Sequence, residues 1–248
     1  MLSISTMAKT HVKRGFLCWG GNISQAMGVL DFIFPKTCVN CSRVGKYLCE
    51  DCQKHIQKVE FQICPVCTKP SISGLTHPKC TTRRSLDGLH SFVYYSPPIP
   101  QALYKLKYKF VRDLAEDLVG EASLEKLDIF SGFSVVTVPL HQKRENWRGF
   151  DQVRLLAELL AGKLGIEFKE SVLVRKKETK AQVGLSREAR AENVAGAFEC
   201  IDREFVKDKN LVLFDDVWTS GATLKNAGAE LKKAGAAKVW GLTLARSR

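Results

Sequence analysis

"LVLFDDVWTSGATLKNA", residues 211–227, decides how this chain is read. Four apolar residues run directly into two adjacent acids, Asp215 and Asp216. A short loop of hydroxyls with one glycine follows, and then a helical pattern. A continuous apolar run of this length suits a strand buried on both faces, as strands of parallel sheets are. Working outward, "SFVYY" (91–95), "SVVTVPL" (134–140), "SVLV" (171–174) and "KVWGLTLA" (238–245) also read as strands. Helical stripes lie between them. Leu103, Leu106, Phe110, Leu114 and Leu118 recur at three and four, as do Val153, Leu156, Ala157, Leu160 and Leu164, and then Leu224, Ala227 and Leu231. The alternation predicts an α/β domain, a mainly parallel sheet flanked by helices, over 87–248.

In such folds ligands sit where strands end and helices begin. The 211–214 run would deliver Asp215 and Asp216 to the carboxyl end of a central strand. The helix is expected to start near Ala222. Its N-terminus, with the hydroxyls of Thr219, Ser220 and Thr223, favours a phosphate, and Gly221 lets backbone come close. Two carboxylates would repel that phosphate unless they face something else. Sugar hydroxyls with a nearby Mg²⁺ are the natural candidate.

Nine cysteines are unevenly placed, seven of them between Cys38 and Cys80. They fall into "CVNC", "CEDC", "CPVC" and "HPKC". Two-residue spacing lets two thiolates point at one metal, and two such pairs complete a tetrahedral zinc site. Cys38, Cys41, Cys49 and Cys52 form one candidate set. Cys64, Cys67, His77 and Cys80 form the second, in which the histidine supplies the eighth ligand. Interleaved pairing, with the first and third pairs sharing one zinc, is the alternative. A disulfide scaffold would need export, and no cleavage site follows the broken apolar stretch near residue 16. Cys18 and Cys200 read as an extension thiol and a small core residue. The segment 29–86 is too poor in aliphatic residues to build much of a core, so metal would substitute for one. Residues 1–28 read as a poorly structured extension in which Met27 could be the start, and 31–35 as an apolar lead-in packing on the next domain.

The net charge of +12 favours polyanionic partners. No apolar run is long enough to span a bilayer, so membrane insertion is excluded and a cytoplasmic place is expected. In "YKLKYKFVR" (104–112), Lys105, Lys109 and Arg112 share one helical face beside aromatics. That pattern suits single-stranded nucleic acid by stacking and charge, or a solvated amphipathic face. Residues 175–197 form a long, charged, polar stretch, of the kind that is functional or disordered inside a compact domain.

The 211–227 stretch resembles the phosphoribosyl-diphosphate (PRPP) signature of type I phosphoribosyltransferases. Upstream, "VPLHQKRENWRGFDQVRLLA" (138–157) and "RKKETKAQVGLSREARAENVAGAF" (175–198) resemble the ComF family, competence-associated phosphoribosyltransferase-like proteins that also carry cysteine pairs ahead of the transferase domain. The resemblance covers roughly 29–248, with its motifs in order. It implies that Asp215 and Asp216 hold the ribose hydroxyls and that Thr219, Ser220, Gly221, Ala222 and Thr223 cradle the 5-phosphate. Val138, Pro139 and Leu140 would present backbone amides to the diphosphate, which Lys143, Arg144 and Arg148 neutralise. Gln182, Arg190 and Asn193 would belong to a hood that closes over the site. Two departures stand out: Trp218 is bulkier than many residues at its place, and Asp151 stands where the family motif has Asn. The implied setting is natural competence and the handling of imported single-stranded DNA, with a competence helicase as a partner. Two readings follow: an enzyme transferring phosphoribose from PRPP with Mg²⁺, on a small nucleobase-like acceptor that need not concern DNA, or a binding protein using the PRPP pocket as a sensor.

Overall fold

The apolar runs become strands in a computed structural model that describes residues 35–109, 112–122, 127–140, 150–176 and 196–248. In chain order the strands are β1 (Gly88–Tyr94), β2 (Ser134–Thr137), β3 (Glu167–Phe168), β4 (Leu173–Arg175), β5 (Phe198–Cys200), β6 (Asn210–Trp218) and β7 (Lys238–Arg246). The helices used below are α1 (Glu50–Gln53), α2 (Ile99–Lys109), α3 (Arg112–Gly120), α4 (Gln152–Leu164), α5 (Arg203–Val206) and α6 (Ala222–Lys233). Among the described residues the main sheet runs β1-β7-β6-β2-β3, and every pairing in it is parallel. All of this lies in one unit, Thr37–Arg248, by which the cysteine segment and the sheet fold together.

Burial alternates along β6 as a central strand requires. Val212 and Phe214 enter a core formed with α2, α3 and α4, including Leu103, Leu106, Leu114, Leu118, Leu156 and Leu160. Leu211 and Leu213 enter the opposite core, with Leu224, Ala227 and Leu231 of α6. Both faces are therefore covered, the usual state of a parallel sheet. The stripe from Leu103 to Leu118 belongs to two helices, α2 and α3, and Phe110 falls outside the described residues. The "SVLV" run leaves the main sheet: β4 pairs antiparallel with β5, from Leu173↔Cys200 to Arg175↔Phe198. Ser171 just before it takes a left-handed conformation (φ 57°), which turns the chain out of line with β3.

The residues before β1 cover that strand's outer edge. Val59 N–H donates to the Phe92 carbonyl (2.9 Å), Tyr94 N–H to the Gln57 carbonyl (2.8 Å) and Thr76 N–H to the Asp87 carbonyl (2.9 Å). The Gln62 amide closes a two-way pair with the Ser91 backbone, both bonds 3.0 Å. An exposed edge of unpaired backbone groups would template aggregation, and this cover removes it. The approach is closest at Gly74, where φ is 84° and a Cβ would be driven into the Leu89 carbonyl oxygen. Gly74→Ala should therefore lower the unfolding midpoint in a thermal melt by at least a few degrees. The left-handed backbone alone costs about 1–2 kcal/mol for a residue with a Cβ, and an unchanged melt would mean the edge contact is absent in solution.

Candidate functional site

β6 stays apolar until Phe214 and then delivers the acid pair. Asp216 is 7% exposed, on the face toward α2. Lys107 of α2 meets it with Nζ 2.6 Å from Oδ2. Burial alone would pull the Lys107 ammonium down, but the Asp216 charge outweighs it and the pKa is raised. Asp215 is half-buried, and its Oδ1 accepts from the Asp216 N–H (2.9 Å). Burial, and then the neighbouring Asp216 charge, push its pKa up to about 8, against partial relief from that N–H, Lys107 and Arg175. The strand end thus holds one carboxylate paired with a lysine and a second that burial keeps protonated toward neutral pH, two groups that can meet hydroxyl donors or a cation.

The next residues form the loop that the sequence predicted. Gly221 takes φ 73° as the N-cap of α6 and provides no side-chain cap. The Ala222 N–H reaches the Ser220 Oγ at 3.4 Å. Trp218, 2% exposed, lies directly beneath: a Cβ on Gly221 would run into its ring. The bulky residue is therefore the floor of the loop. Lys225 of α6 holds its ammonium 5.5 Å from the same ring. At the end of β2, the Val138 N–H donates to the Phe214 carbonyl (3.0 Å). Pro139 and Leu140 line a cavity of about 340 Å³ with Asp151, Arg154, Glu170 and Arg175. Asp151 is the N-cap of α4, its Oδ1 accepting from Val153 N–H (2.8 Å) and Arg154 N–H (3.2 Å). An aspartate performs that capping as an asparagine would, and its charge suits a helix N-terminus. Lys143, Arg144, Arg148, Gln182, Arg190 and Asn193 lie outside the described residues.

The cysteine segment assembles into two ligand groups, Cys38–Cys41–Cys49–Cys52 and Cys64–Cys67–His77–Cys80, with the ligand atoms of each group within 4.8 Å of one another. Pairing is sequential, which removes the interleaved alternative. The first half of each group repeats one turn. Cys38 N–H donates to the Arg43 carbonyl (2.8 Å) and Ser42 N–H to the Cys38 carbonyl (3.0 Å); Cys64 N–H donates to Lys69 (2.9 Å) and Thr68 N–H to Cys64 (2.9 Å). Ser42 and Thr68 share a left-handed φ, 62° and 61°. Burial would raise the Cys38 and Cys64 thiols, but donation from surrounding amides prevails and lowers them to about 6 and about 7. His77 places Nδ1 3.3 Å from the Cys67 Sγ, and Nε2 3.1 Å from the Pro70 carbonyl. That outer bond keeps the proton on Nε2 and turns the Nδ1 lone pair toward the thiols, as for zinc-ligating imidazoles. Both donor sets fit structural zinc.

The basic run 104–112 is divided in space. Lys105 turns inward, its ammonium 4.6 Å from the Tyr47 ring and its proton directed at the Thr37 carbonyl (3.4 Å). Arg112 is exposed beside Glu116 (3.6 Å), and the Lys109 side chain lies outside the described residues. Lys105 and Arg112 do not share an open face. Tyr104 and Tyr108 are exposed large side chains on α2, ring centroids 4.7 Å apart. Sequence reasoning gave Lys107 no role, yet it is the cation of the acid pair. The signal was present: Lys107 follows Leu103 by four and Leu106 by one, which sets a charge on the apolar stripe, where only a buried partner accounts for it.

A family model described as "Double zinc ribbon domain" matches residues 29–81. Elemental analysis of the purified chain should find about two zinc ions. His77→Ala should bring the count toward one and loosen residues 60–80 while the Cys38 group keeps its metal; a single zinc in the wild type, unchanged by the substitution, would contradict the second group.

Three relatives span most of the chain. The "DNA utilization protein YhgH" of Escherichia coli is 28% identical over 77% of this chain and 87% of its own length. The "Competence protein ComFC" of Bacillus subtilis is 28% identical over 81% and 84%. The "Competence protein F" of Haemophilus influenzae is 29% identical over 86% and 98%. A solved structure, the glutamine PRPP amidotransferase of B. subtilis complexed with ADP and GMP, aligns at 22% identity with a TM-score of 0.34, over 54% of this chain and 25% of that one. The chain thus carries a double zinc ribbon ahead of its parallel sheet and is similar over most of its length to the ComFC, competence protein F and YhgH proteins.

Proposed function

We propose that this chain binds PRPP at the carboxyl ends of β6 and β2 and serves, in the cytoplasm, the handling of imported single-stranded DNA. One observation carries the ligand. A central buried strand delivers two adjacent carboxylates to the sheet's rim, and a hydroxyl loop with a left-handed glycine at the N-cap of the next helix follows at once. Asp215 and Asp216 accept the ribose 2- and 3-hydroxyls. The hydroxyls and amides of 219–223 face the 5-phosphate, and Val138, Pro139 and Leu140 the diphosphate, with Lys143, Arg144 and Arg148. Gln182, Arg190 and Asn193 close over the ligand. Once Asp215 gives up its proton, the acid pair would offer carboxylate oxygens to Mg²⁺, which would supply neutralisation of the diphosphate.

The cavity beside Arg175 favours a second reading, transfer of the phosphoribosyl group to a small nucleobase-like acceptor. In that reaction the bond from the anomeric carbon to the diphosphate oxygen breaks, diphosphate leaves with the electron pair, and an acceptor nitrogen bonds the carbon through its lone pair and releases its proton to water. Position and charge carry most of such a step, so no catalytic histidine is needed.

The DNA part rests on the printed names of the relatives, the net charge of +12 and the exposed Tyr104–Tyr108 pair on α2. A competence helicase is the protein partner this setting calls for.

Calorimetry tests the ligand. Asp215→Asn with Asp216→Asn should weaken PRPP binding by about tenfold or more, since a hydrogen bond to a charged group contributes about 1.5–3 kcal/mol; unchanged affinity would sink the assignment. The sign of the pH effect follows from Asp215. Its carboxyl titrates at about 8 in the free protein and must lose the proton to accept hydroxyls. Affinity should therefore rise with pH between about 7 and about 8, by at most about tenfold per pH unit, and level off above. For DNA, Tyr104→Ala with Tyr108→Ala should weaken single-strand binding by an amount in keeping with about 1–3 kcal/mol per stacked base. Equal binding by fluorescence anisotropy would make the tyrosines mere surface.

A further inference from the structure

Behind the PRPP loop lies a second, larger cavity of about 1170 Å³. Tyr94, Trp218 and Arg246, at the carboxyl ends of β1, β6 and β7, form one side of it, and residues 57–68 of the zinc-ribbon segment form the other. Arg246 is 5% exposed. Its guanidinium stacks 5.4 Å from the Tyr94 ring centroid, and Nη2 donates to the Phe61 carbonyl (3.0 Å) and the Tyr94 hydroxyl (3.4 Å). Nη1 is buried with no hydrogen-bond acceptor. No carboxylate among the described residues forms an ion pair with this guanidinium, although a buried charge without a counter-ion is strongly disfavoured.

Two further cations, Lys58 and Arg248, and one acid, Glu60, line the cavity. Lys58 is matched by Glu121 (2.7 Å). Glu60 is exposed. Arg248 stacks on Tyr94 at 5.3 Å and donates to the Gln57 side chain. Thr219 and Ser220 add hydroxyls at the mouth. A buried guanidinium with no counter-ion among the described residues, and a second guanidinium stacked on the same ring, beside a cavity of this size are the chemistry of phosphate recognition with room for a nucleoside.

We infer that the cavity between the zinc ribbon and the ends of β1, β6 and β7 is a nucleotide-phosphate site, separate from the acid pair, with Arg246 as its anchor. The phosphate belongs either to a free mononucleotide or to the end of a strand. The inference does not depend on PRPP binding, though it shares Thr219 and Ser220 with that loop.

Anisotropy and calorimetry on the full chain test it with two probes, a nucleoside 5′-monophosphate and a short single strand with either a 5′-phosphate or a 5′-hydroxyl. Each is measured with and without saturating PRPP and Mg²⁺. The phosphorylated strand should bind about tenfold or more tighter than the hydroxyl-ended one, or the monophosphate should bind by itself, and either preference should persist with PRPP present. Binding by the monophosphate alone assigns a free nucleotide; a preference confined to the strand assigns a strand end. Arg246→Gln should abolish the preference and keep PRPP binding, Arg246→Lys should keep part of it, and Arg248→Ala, at an exposed position, should reduce it if the buried variants do not fold. No monophosphate binding and equal affinity for both strands in the wild type would overturn the inference, as would full competition by PRPP. Neither result requires PRPP binding to fail, so the two readings fall separately.

Discussion

The structure depends on β6 being enclosed. It is hydrogen-bonded to β2 on one side and β7 on the other, and Leu211–Phe214 are buried on both faces. Leu211–Phe214 are shut off from solvent, so the polar groups that follow them, Asp215 and Asp216, stand at the carboxyl end of the strand, just ahead of the loop into α6. Placing two carboxylates at that boundary costs desolvation, and the structure offsets it unevenly. Asp216 has Lys107 beside it, while Asp215 keeps its proton into the neutral range. Trp218 then closes the interior under Gly221, which holds the following loop in one conformation.

The zinc ribbons belong to this same body. Cys38, Cys49 and Cys52 share an apolar cluster with Phe214 and the leucines of α2, and the second ribbon runs along the outer edge of β1. Fifty residues with few aliphatic side chains could not hold such a position by their own packing. Two tetrahedral centres would set the local geometry instead, each built on the same left-handed turn, and backbone hydrogen bonds then seal the sheet edge. Metal loss would therefore open the edge of β1 along with the ribbons.

The positive charge is spent in different ways. Lys105 and Lys107 are neighbours on α2 yet point to different partners, an aromatic ring in the first ribbon and an acid on β6. Arg112, Lys58 and Lys46 lie beside carboxylates at the surface. Arg246 is a buried cation held by a ring and a carbonyl, and it lines the cavity where ribbon and sheet meet.

The sequence by itself determined the elements and the donor chemistry. Period-two and period-3.6 patterns are local, so the central strand, the loop after Asp216, the helix from Ala222 and the C-x-x-C spacings could all be read directly. It could not determine which of the cations near the acids would meet them. Lys105 and Lys107 differ by only two positions, but on a helix that is about 200° of rotation, and only the packing of α2 on the sheet decides which one faces Asp216. The pairing of cysteine groups, the departure of 173–175 from the main sheet and the cavity around Arg246 were likewise tertiary. Each depends on contacts between segments from about ten to nearly two hundred residues apart, and such contacts leave no periodic trace in either segment.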